Sequence, residues 1–364
     1  MSPLSARGLW PFPEPPRSIV LVRFDLIGDT VMSLALAADL KSIYPDSKLT
    51  FLTTPAAARV VKMCPYVDNS LAVDMPALTH LRRCVRYGSW RAAFSAMREI
   101  RRRKFDLAVS LYGPLAGSVV GLSGAAWRVG YKSEAPAGCL DFALPGLRRL
   151  RTRHEVDWIR SLAGRDGQAS PAGTVAVPDA VERRVAEFLP DDNGGALVVV
   201  HTGARNGGAK IWPSARWKAL AALILEKTSA RLVTVGDEFE RDVAESVLQP
   251  GPRTRDLTGR TSIAELAAVI SKCDVLVSGD SGPLHLATAL GIRVVGVYGP
   301  TDPALSGPFA DDAICLTAGI PCSPCYDLRA PADCPFGDTL CMNWITPEQV
   351  LAATLTQLEG TGAI

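Results

Sequence analysis

The 364-residue sequence contains few histidines and no pattern typical of an exported protein. Four histidines occur, and none form a pair at metal-ligand spacing on a predicted helix, which argues against a histidine-built metal site. Residues 1–17 contain five prolines and lack a basic start followed by an apolar run, so we expect a disordered lead-in and not a signal peptide. We therefore expect a cytoplasmic protein. Its nine cysteines, an odd number, do not favour a disulfide framework there.

A transmembrane segment is not expected either. Residues 107–127 carry no charge, but glycines and a proline interrupt them, and their first residues alone resemble a buried strand. The charges are unevenly divided along the chain. Residues 1–175 hold 24 basic and 14 acidic side chains, whereas the remainder holds 15 and 23. This imbalance favours an anionic partner for the first half, though the charges could also be spread over solvated helix faces. We expect no nucleic-acid partner.

Short β-branched runs alternate with amphipathic segments along the chain, which predicts parallel sheets covered by helices. The predicted strands are Ile19–Arg23, Leu49–Thr53, Leu107–Leu111, Arg128–Tyr131, Leu197–His201, Leu232–Val235, Val275–Ser278 and Val294–Tyr298. A segment rich in Gly, Pro, Ser and Ala divides them into two groups of four. We therefore predict an α/β protein with two Rossmann-like domains facing a central cleft. Its predicted parts are 18–163, a linker at 164–178, 179–345, and a closing helix and tail at 346–364.

Two common nucleotide-binding patterns are missing. The first strand leads into Phe24-Asp-Leu-Ile-Gly28-Asp29, which has one glycine where a dehydrogenase fingerprint has three. The loop 203–211 resembles a P-loop weakly, but Lys210 is not followed by the Ser or Thr that binds Mg²⁺. These absences argue against a dehydrogenase and a P-loop nucleotide hydrolase.

Three strand-to-helix junctions attract attention because ligands of parallel sheets bind at the carboxyl ends of strands. In the first, Asp29 stands at the start of a helix, where it could cap the helix or act as a general base. In the second, Thr202 and small residues precede Lys210, which suits a diphosphate, although an ordinary loop with solvated cations is the alternative. In the third, the Ser281 and Gly282 amides would face an anion at a helix start that follows Asp280.

An acidic residue after the strand Leu232–Val235 could bind ribose hydroxyls. Glu238 lies in this position, and a helix-start carboxylate is an equally good interpretation. All phosphate-binding features thus fall in the second half, whereas the isolated carboxylate falls in the basic first half. One domain for an activated nucleotide donor and the other for an anionic acceptor is the simplest interpretation.

These motifs resemble glycosyltransferase family 9, the ADP-heptose:lipopolysaccharide heptosyltransferases, from about Ser18 to Leu358. The most specific segments are 277–287 with 299–303, followed by 19–29 and by Lys210-Ile-Trp-Pro213. The resemblance implies the GT-B fold and inverting transfer of a heptose from ADP-heptose to the lipopolysaccharide inner core. It also implies a lipid-linked acidic core oligosaccharide at the membrane surface as acceptor, peripheral attachment to the inner membrane, and no cofactor for catalysis. A different acceptor (a protein or another glycan), a different donor sugar, or a non-catalytic sugar-nucleotide binder are the alternatives.

The resemblance assigns roles to individual residues. Asp29 corresponds to the catalytic base, Lys210 to the donor-phosphate lysine, Glu238 to the ribose carboxylate, and Asp280 to the acidic residue beside the donor sugar. Thr202, Ser281 and Gly282 fall where the family contacts the diphosphate. Two features depart from the family: the loop 205–210 is longer than in its simplest members, and the proline-rich start has no counterpart.

Two clusters of basic residues could bind the acidic groups of the acceptor. One consists of Arg98, Arg101, Arg102, Arg103 and Lys104, for which a solvated helix face is the better interpretation residue by residue. The other consists of Arg148, Arg149, Arg151 and Arg153, which we expect in a loop and therefore prefer.

Four cysteines lie close together near the end of the second half: Cys322, Cys325, Cys334 and Cys341. The C-x₂-C spacing of the first pair and the two later thiols favour a structural Zn or Fe site in a loop with little apolar content. Some protein-modifying heptosyltransferases carry an iron-binding cysteine finger near this end, so the resemblance supports a metal. Partly buried free thiols are the alternative.

Overall fold

The computed structural model describes residues 10, 12–74, 89–150, 152–165, 172–192, 194–204, 208–326 and 333–362, and for residues 89–93 and 149 it describes the backbone alone. The chain divides into two compact units, Met1–Ala169 and Ser170–Ile364, and this division falls within the predicted linker. Residues 166–171 of that linker lie outside the described residues, as do residues 1–9 and 11 of the lead-in.

The first unit is built on a six-stranded parallel sheet. Its strands are β1 Ser18–Val22, β2 Lys48–Thr53, β3 Asn69–Ala72, β4 Leu107–Ser110, β5 Trp127–Tyr131 and β6 Phe142–Leu144. Its helices are α1 Ile27–Ile43, α2 Pro55–Val61, α3 Ser89–Arg103, α4 Gly113–Leu122 and α5 Glu155–Arg160. The central strand β1 is apolar and almost fully buried because helices cover both faces of a parallel sheet.

The second unit repeats this architecture with a second six-stranded parallel sheet. Its strands are β7 Leu197–His201, β8 Arg231–Val235, β9 Thr254–Asp256, β10 Val275–Gly279, β11 Arg293–Tyr298 and β12 Ile314–Thr317. Its helices are α6 Asp179–Ala186, α7 Ser214–Lys227, α8 Arg241–Val247, α9 Ile263–Ser271, α10 Gly282–Leu290, α11 Pro303–Ser306, α12 Leu340–Asn343 and α13 Pro347–Thr361. The predicted closing helix is α13. It begins with a Thr346–Gln349 capping box and ends at Gly362, which adopts the left-handed conformation.

The strand order places equivalent pairs of strands at the centres of the two sheets. The orders are β3-β2-β1-β4-β5-β6 and β12-β11-β10-β7-β8-β9, which are equivalent Rossmann-type arrangements. In each sheet the order reverses between the two central strands, β1 and β4 or β7 and β10. Ligands of open α/β sheets bind at the carboxyl ends of the strands at this switch point. The fold therefore directs attention to residues that follow β1, β4, β7 and β10.

The eight strands predicted from sequence are all present to within a residue or two, and the predicted α/β class is confirmed. The four strands missing from the prediction are β3, β6, β9 and β12, which are the two edges of each sheet. Edge strands bury less of their surface, and these four are short and only partly buried. They consequently lack the continuous apolar run by which the central strands were predicted.

The described part of the lead-in packs against the first unit. The Trp10 ring packs at 5.4 Å from Phe142, and its indole Nε1 donates to the Leu162 carbonyl at 3.0 Å. Phe12 packs at 5.9 Å from Trp127, and Pro16 is buried. These apolar rings cover the β5–β6 edge, and their burial offsets the cost of ordering the segment.

None of the described helices is long and apolar enough to cross a membrane. The uncharged stretch 107–127 instead forms β4, α4 and the first residue of β5.

Candidate active site

Asp29 lies in the first turn of α1, directly after β1. The N-cap residue of this helix is Leu26, whose side chain makes no capping bond. Asp29 is therefore not the N-cap, which was one interpretation of its position in the sequence. Its side chain is 33% exposed, and its carboxylate Oδ1 lies 3.5 Å from Nη2 of Arg23. The positive end of the helix dipole also favours a carboxylate at this point. Asp29 is therefore an accessible carboxylate at the switch point of the first sheet.

Arg23 is the centre of a buried ionic network behind Asp29. Its side chain is 1% exposed, and its guanidinium contacts Asp25 at 2.7 Å, Glu155 at 2.9 Å and the Ser33 hydroxyl at 2.9 Å. Burial alone would lower the pKa of Arg23, but the surrounding carboxylates outweigh it and raise that pKa. Sequence analysis did not single out this arginine. The feature of the sequence that could have identified it is a basic residue at the end of an apolar strand.

Arg148 does not occupy the position expected of an acceptor-binding residue. It is 6% exposed, its guanidinium donates to Glu155 and to the Leu111 carbonyl, and it lies 3.3 Å from Glu134. It also stacks over the Tyr112 ring at 4.9 Å. The prediction of a surface cation here was wrong, because the residue belongs to the short 3-10 helix Arg148–Leu150 and neutralises buried carboxylates.

The remaining residues of the preferred basic cluster give no support to a common phosphate site. Arg153 is half-buried and lies over the Trp158 ring at 5.1 Å. Arg151 and the side chain of Arg149 lie outside the described residues. The other basic cluster is exposed on and after α3: Arg98, Arg101, Arg102, Arg103 and Lys104. Within it, Glu99 pairs with Arg103 at 3.0 Å, and Arg101 donates to the Leu122 carbonyl at 2.8 Å.

In the second unit, the ends of β7 and β10 are joined through the His201 imidazole. Its Nδ1 lies 3.1 Å from both the Ser278 and the Ser281 hydroxyls, and its Nε2 lies 3.2 Å from the Glu240 carboxylate. A carboxylate accepts but does not donate, so Nε2 donates to Glu240, while Nδ1 lies within hydrogen-bond distance of both serine hydroxyls. Gly203 and Gly236 leave room for Glu240, since a Cβ at either position would come within 2.5 Å of its oxygens. His201 and Glu240 were not predicted as site residues.

Ser281 begins α10 without capping it. Its side chain makes no capping bond because the hydroxyl is turned toward Ser278 and His201. In the first turn of this nine-residue helix Pro283 has no amide hydrogen and the Leu284 amide donates to the Ser281 carbonyl at 3.2 Å, so among the described residues the Gly282 amide is left for an external acceptor. Thr202, at the end of β7, is 3% exposed, and its hydroxyl bonds to none of the described residues. These features give the second switch point the chemistry of an anion site.

Lys210 and Asp280 form an ion pair although they stand 70 positions apart. The lysine Nζ lies 2.7 Å from Asp280 Oδ2 and 4.3 Å from the centroid of the Tyr326 ring. Both side chains are largely buried, at 11% and 12% exposure. Lys210 ends the short 3-10 helix Gly208–Lys210, and residues 205–207 before it lie outside the described residues. The structure thus brings together two of the predicted donor residues.

Glu238 and Phe239 protrude after β8. The carboxylate of Glu238 is exposed, and the Phe239 ring is 92% exposed. Asp237 caps this turn through a capping box with Glu240. The acidic residue that caps the helix start is therefore Asp237 and not Glu238. Glu238 is left accessible for a ligand. The turn at Gly259, with a φ of +69°, packs against the Glu238 backbone.

The four clustered cysteines line a single cavity of about 80 Å³. Burial and the neighbouring thiols raise the pKa of both Cys325 and Cys341, and the Cys334 thiol donates to the Asp338 carbonyl at 3.2 Å. Within the described ranges, no group of three or more His, Cys, Asp or Glu side chains is arranged to hold a metal ion. The thiols have the chemistry of a tetrathiolate site, but their geometry here does not form one.

Comparison with known proteins places this chain in a family. The sequence model of glycosyltransferase family 9 (heptosyltransferase) matches residues 93–334, which is more than half of the chain. The chain belongs to glycosyltransferase family 9. The protein is therefore a glycosyltransferase, as the resemblance of its motifs implied.

Individual relatives agree with this assignment of the family 9 glycosyltransferase. Lipopolysaccharide heptosyltransferase 1 of Pseudomonas aeruginosa is 25% identical over 94% of this chain and 97% of the relative. The structure of E. coli ADP-heptose lps heptosyltransferase II has a TM-score of 0.74 at 19% identity and covers 95% of this chain and 99% of its own. This likeness confirms the GT-B fold.

One structural neighbour bears on the cysteine cluster. The dodecameric iron-containing heptosyltransferase TibC of E. coli, in complex with ADP-D-beta-D-heptose, matches with a TM-score of 0.58 at 14% identity. The match covers 95% of this chain and 77% of TibC. At this identity the likeness concerns the fold, so iron is a property of TibC.

Proposed function

We propose that this protein transfers heptose from ADP-heptose to the lipopolysaccharide inner core with inversion at the anomeric carbon. The observation that carries the proposal is the second switch point, where Lys210, the Gly282 amide at the start of α10 and the Thr202 hydroxyl, which bonds to none of the described residues, offer a site for a diphosphate. The relatives supply the sugar and the acceptor, since they are lipopolysaccharide heptosyltransferases.

Asp29 acts as the general base in this proposal. Its carboxylate removes the proton of the acceptor hydroxyl while that oxygen attacks the anomeric carbon of the donor. Attack from the face opposite ADP inverts the anomeric centre, and the C–O bond to the diphosphate breaks. The partial exposure of Asp29 leaves it accessible to an acceptor, as this role requires.

The second unit stabilises the leaving diphosphate. Lys210 provides positive charge, and the Gly282 amide at the start of α10 provides a hydrogen-bond donor, where negative charge grows. Donor binding replaces part of the Lys210–Asp280 ion pair and leaves Asp280 beside the donor sugar. Glu238 is exposed after β8, as a carboxylate that binds ribose hydroxyls must be.

The acceptor is proposed to be a lipid-linked acidic core oligosaccharide at the surface of the inner membrane. Five exposed cations on and after α3 provide charge for its phosphate or carboxylate groups, and the exposed Phe94 ring shares that helix. They replace the cluster 148–153 as the better acceptor candidates, because Arg148 is buried. Cytoplasmic location and peripheral attachment belong to this same proposal.

A panel of nucleotide sugars tests the donor. ADP-heptose and ADP should raise the melting temperature of the protein more than UDP- or GDP-sugars at equal concentration, because a ligand that binds more tightly stabilises the fold more. Stabilisation by UDP-sugars alone would exclude ADP-heptose as donor. An ADP-sugar bound without any turnover, across lipopolysaccharide, protein and glycan acceptors, would instead indicate a non-catalytic binder.

A structural zinc or iron ion at Cys322, Cys325, Cys334 and Cys341 is a separate proposal. Its support is the shared cavity and the affinity of thiolates for these ions, and binding would require the four thiols to move closer together. Metal analysis of protein purified without chelator should find about one equivalent of Zn plus Fe. Less than roughly a tenth of an equivalent, with four titratable thiols, would mean that no closed tetrathiolate site exists.

A further inference from the structure

We propose that Arg23, held in place by Glu155, is a positioning residue that orients the Asp29 carboxylate and favours its charged, proton-accepting form. This inference rests on the proposed role of Asp29 as the general base. Arg23 and Glu155 stand 132 positions apart in sequence and meet behind Asp29.

The guanidinium of Arg23 is fixed by three different groups. Nε donates to Asp25 at 2.7 Å, Nη1 donates to the Ser33 hydroxyl at 2.9 Å, and Nη2 pairs with Glu155 at 2.9 Å. Because guanidinium is a rigid planar fork, three anchors determine its position and plane. Its Nη2 then lies 3.5 Å from Asp29 Oδ1, which is an ion-pair distance.

The anchors come from separate elements of the first unit. Arg23 follows β1, Asp29 and Ser33 lie on α1, and Glu155 begins α5. Glu155 is itself held by Arg148. Burial would raise the pKa of Glu155, but Arg148 and Arg23 together lower it, so Glu155 remains a carboxylate at neutral pH. The network thus transmits the position of α5 to the reactive end of α1.

Exposure separates the members of the network by role. Arg23 is 1% exposed and cannot contact an acceptor, whereas Asp29 is 33% exposed. The charged and titratable groups of the network in the described residues are Asp29, Arg23, Asp25, Glu155, Arg148, Glu134 and Tyr112. Arg23 lies within ion-pair distance of Asp29, so its removal should change the charge of that carboxylate.

A second ion pair in the same unit provides a matched control. Arg160 binds Asp39 in a bidentate manner at 2.7 Å and 2.9 Å, and both side chains are buried. This pair also connects α5 to α1, but Asp39 lies ten residues further along α1 than Asp29, which is about 15 Å along a helix. Its loss should destabilise the same helix contact without affecting Asp29.

The experiment compares Arg23→Gln, Arg23→Lys and Arg160→Gln with the parent protein. ADP release from ADP-heptose is measured across pH with lipopolysaccharide from a heptose-free strain, and ADP affinity is measured by calorimetry. Arg23→Gln should lower kcat by about 10²-fold, as expected when a reacting group is misplaced. It should also shift the acid limb of kcat/KM to higher pH, because a nearby cation favours the carboxylate form.

The other variants separate positioning from folding. Arg23→Lys should keep the acid limb at its parental pH and recover part of kcat, since it keeps the charge and loses the fork. Arg160→Gln should lower the melting temperature but leave kcat and the pH profile unchanged, and ADP affinity should stay within about twofold in all three variants. If Arg23→Gln does not fold, the double variant Arg23→Gln with Glu155→Gln keeps the net charge of the buried network at its parental value and should show the same loss of kcat.

Two results would overturn the inference. One is a folded Arg23→Gln protein, or double variant, with the parental kcat and pH profile. The other is an equal loss of kcat in Arg160→Gln, which would make Arg23 merely structural. Asp29→Asn distinguishes this failure from failure of the proposed base: parental turnover in Asp29→Asn removes the base itself, whereas an inactive Asp29→Asn with a fully active Arg23→Gln removes only the positioning role.

Discussion

The switch points of the two sheets share a strand order but differ in chemistry. In the first unit, Arg23 at the end of β1 and Arg148 after β6 face four carboxylates in one ionic network, one of them Asp29. In the second unit, the ends of β7 and β10 present hydroxyls, a helix-start amide and a single Lys210–Asp280 pair. The same backbone thus carries the proposed base in one unit and the proposed anion site in the other. Fold determines where each site lies, and side chains determine what it does.

The two sites are also stabilised in different ways. The first relies on charges enclosed by protein, of which Arg23 and Arg148 are nearly inaccessible to water. The second relies on hydrogen bonds among His201, Ser281 and Glu240, supported by two glycines that admit the carboxylate. Loss of a charge should therefore affect catalysis most in the first unit, and donor affinity most in the second.

The largest effect is expected for Asp29→Asn. The amide keeps the shape of the side chain but cannot accept the acceptor proton, so kcat should fall by roughly 10²–10⁴-fold. ADP affinity, measured by calorimetry, should remain at the parental value. Asp46→Asn, an exposed carboxylate in the same unit, is the matched control. Parental turnover in Asp29→Asn would show that the first unit does not supply the base.

Lys210→Met should produce the next largest effect, in the second unit. It removes the cation expected at the leaving diphosphate, and loss of one such group typically costs about 10²–10³-fold in rate. Turnover of ADP-heptose and ADP affinity should both decrease. Lys218→Met removes an exposed lysine from α7 and should leave both unchanged. An ADP affinity equal to the parent's would place the diphosphate elsewhere.

A smaller effect is expected for Glu240→Gln. The change weakens the contact with His201 and the bond from the Asp237 amide, which together hold the ends of β7 and β8 around the donor site. Hydrogen bonds to charged groups are worth about 1.5–3 kcal/mol, so ADP affinity should fall by roughly tenfold or more. Glu245→Gln alters an exposed carboxylate on α8 and serves as the control. Binding as tight as in that control would mean that His201 and Glu240 do not organise the donor site.

The smallest effect is expected for charge reversal on α3, with Arg98→Glu and Arg102→Glu combined. Exposed charges are screened by salt, so KM for lipopolysaccharide should rise by about tenfold or less and depend less on ionic strength. Donor affinity should not change. Arg183→Glu, on α6 of the second unit, tests for a general effect of net charge. If the charge reversal on α3 leaves the acceptor KM unchanged, this helix does not take part in acceptor binding.

The candidate sites could be predicted from sequence only in part. Asp29, Lys210 and Asp280 stand in motifs at strand ends, where parallel sheets bind ligands, so local sequence located them. Arg23 and Glu155 could not be paired in this way, since nothing in the intervening sequence indicates that α5 returns to the end of β1. Arg148 was misinterpreted because basic residues in an irregular segment are usually exposed, and burial by distant carboxylates leaves no local pattern.

The sequence by itself determined the eight central strands, the α/β class and the order of the strand-to-helix junctions. Continuous apolar runs and helix-start residues are local signals, and local interactions suffice to interpret them. Only the tertiary structure decided the four edge strands, the burial of Arg148, the grouping of Arg23 with Glu155 and the contact of His201 with Glu240. Each of these depends on which distant elements pack together, because charge pairing and the burial of an edge strand follow from three-dimensional neighbours and not from sequence neighbours.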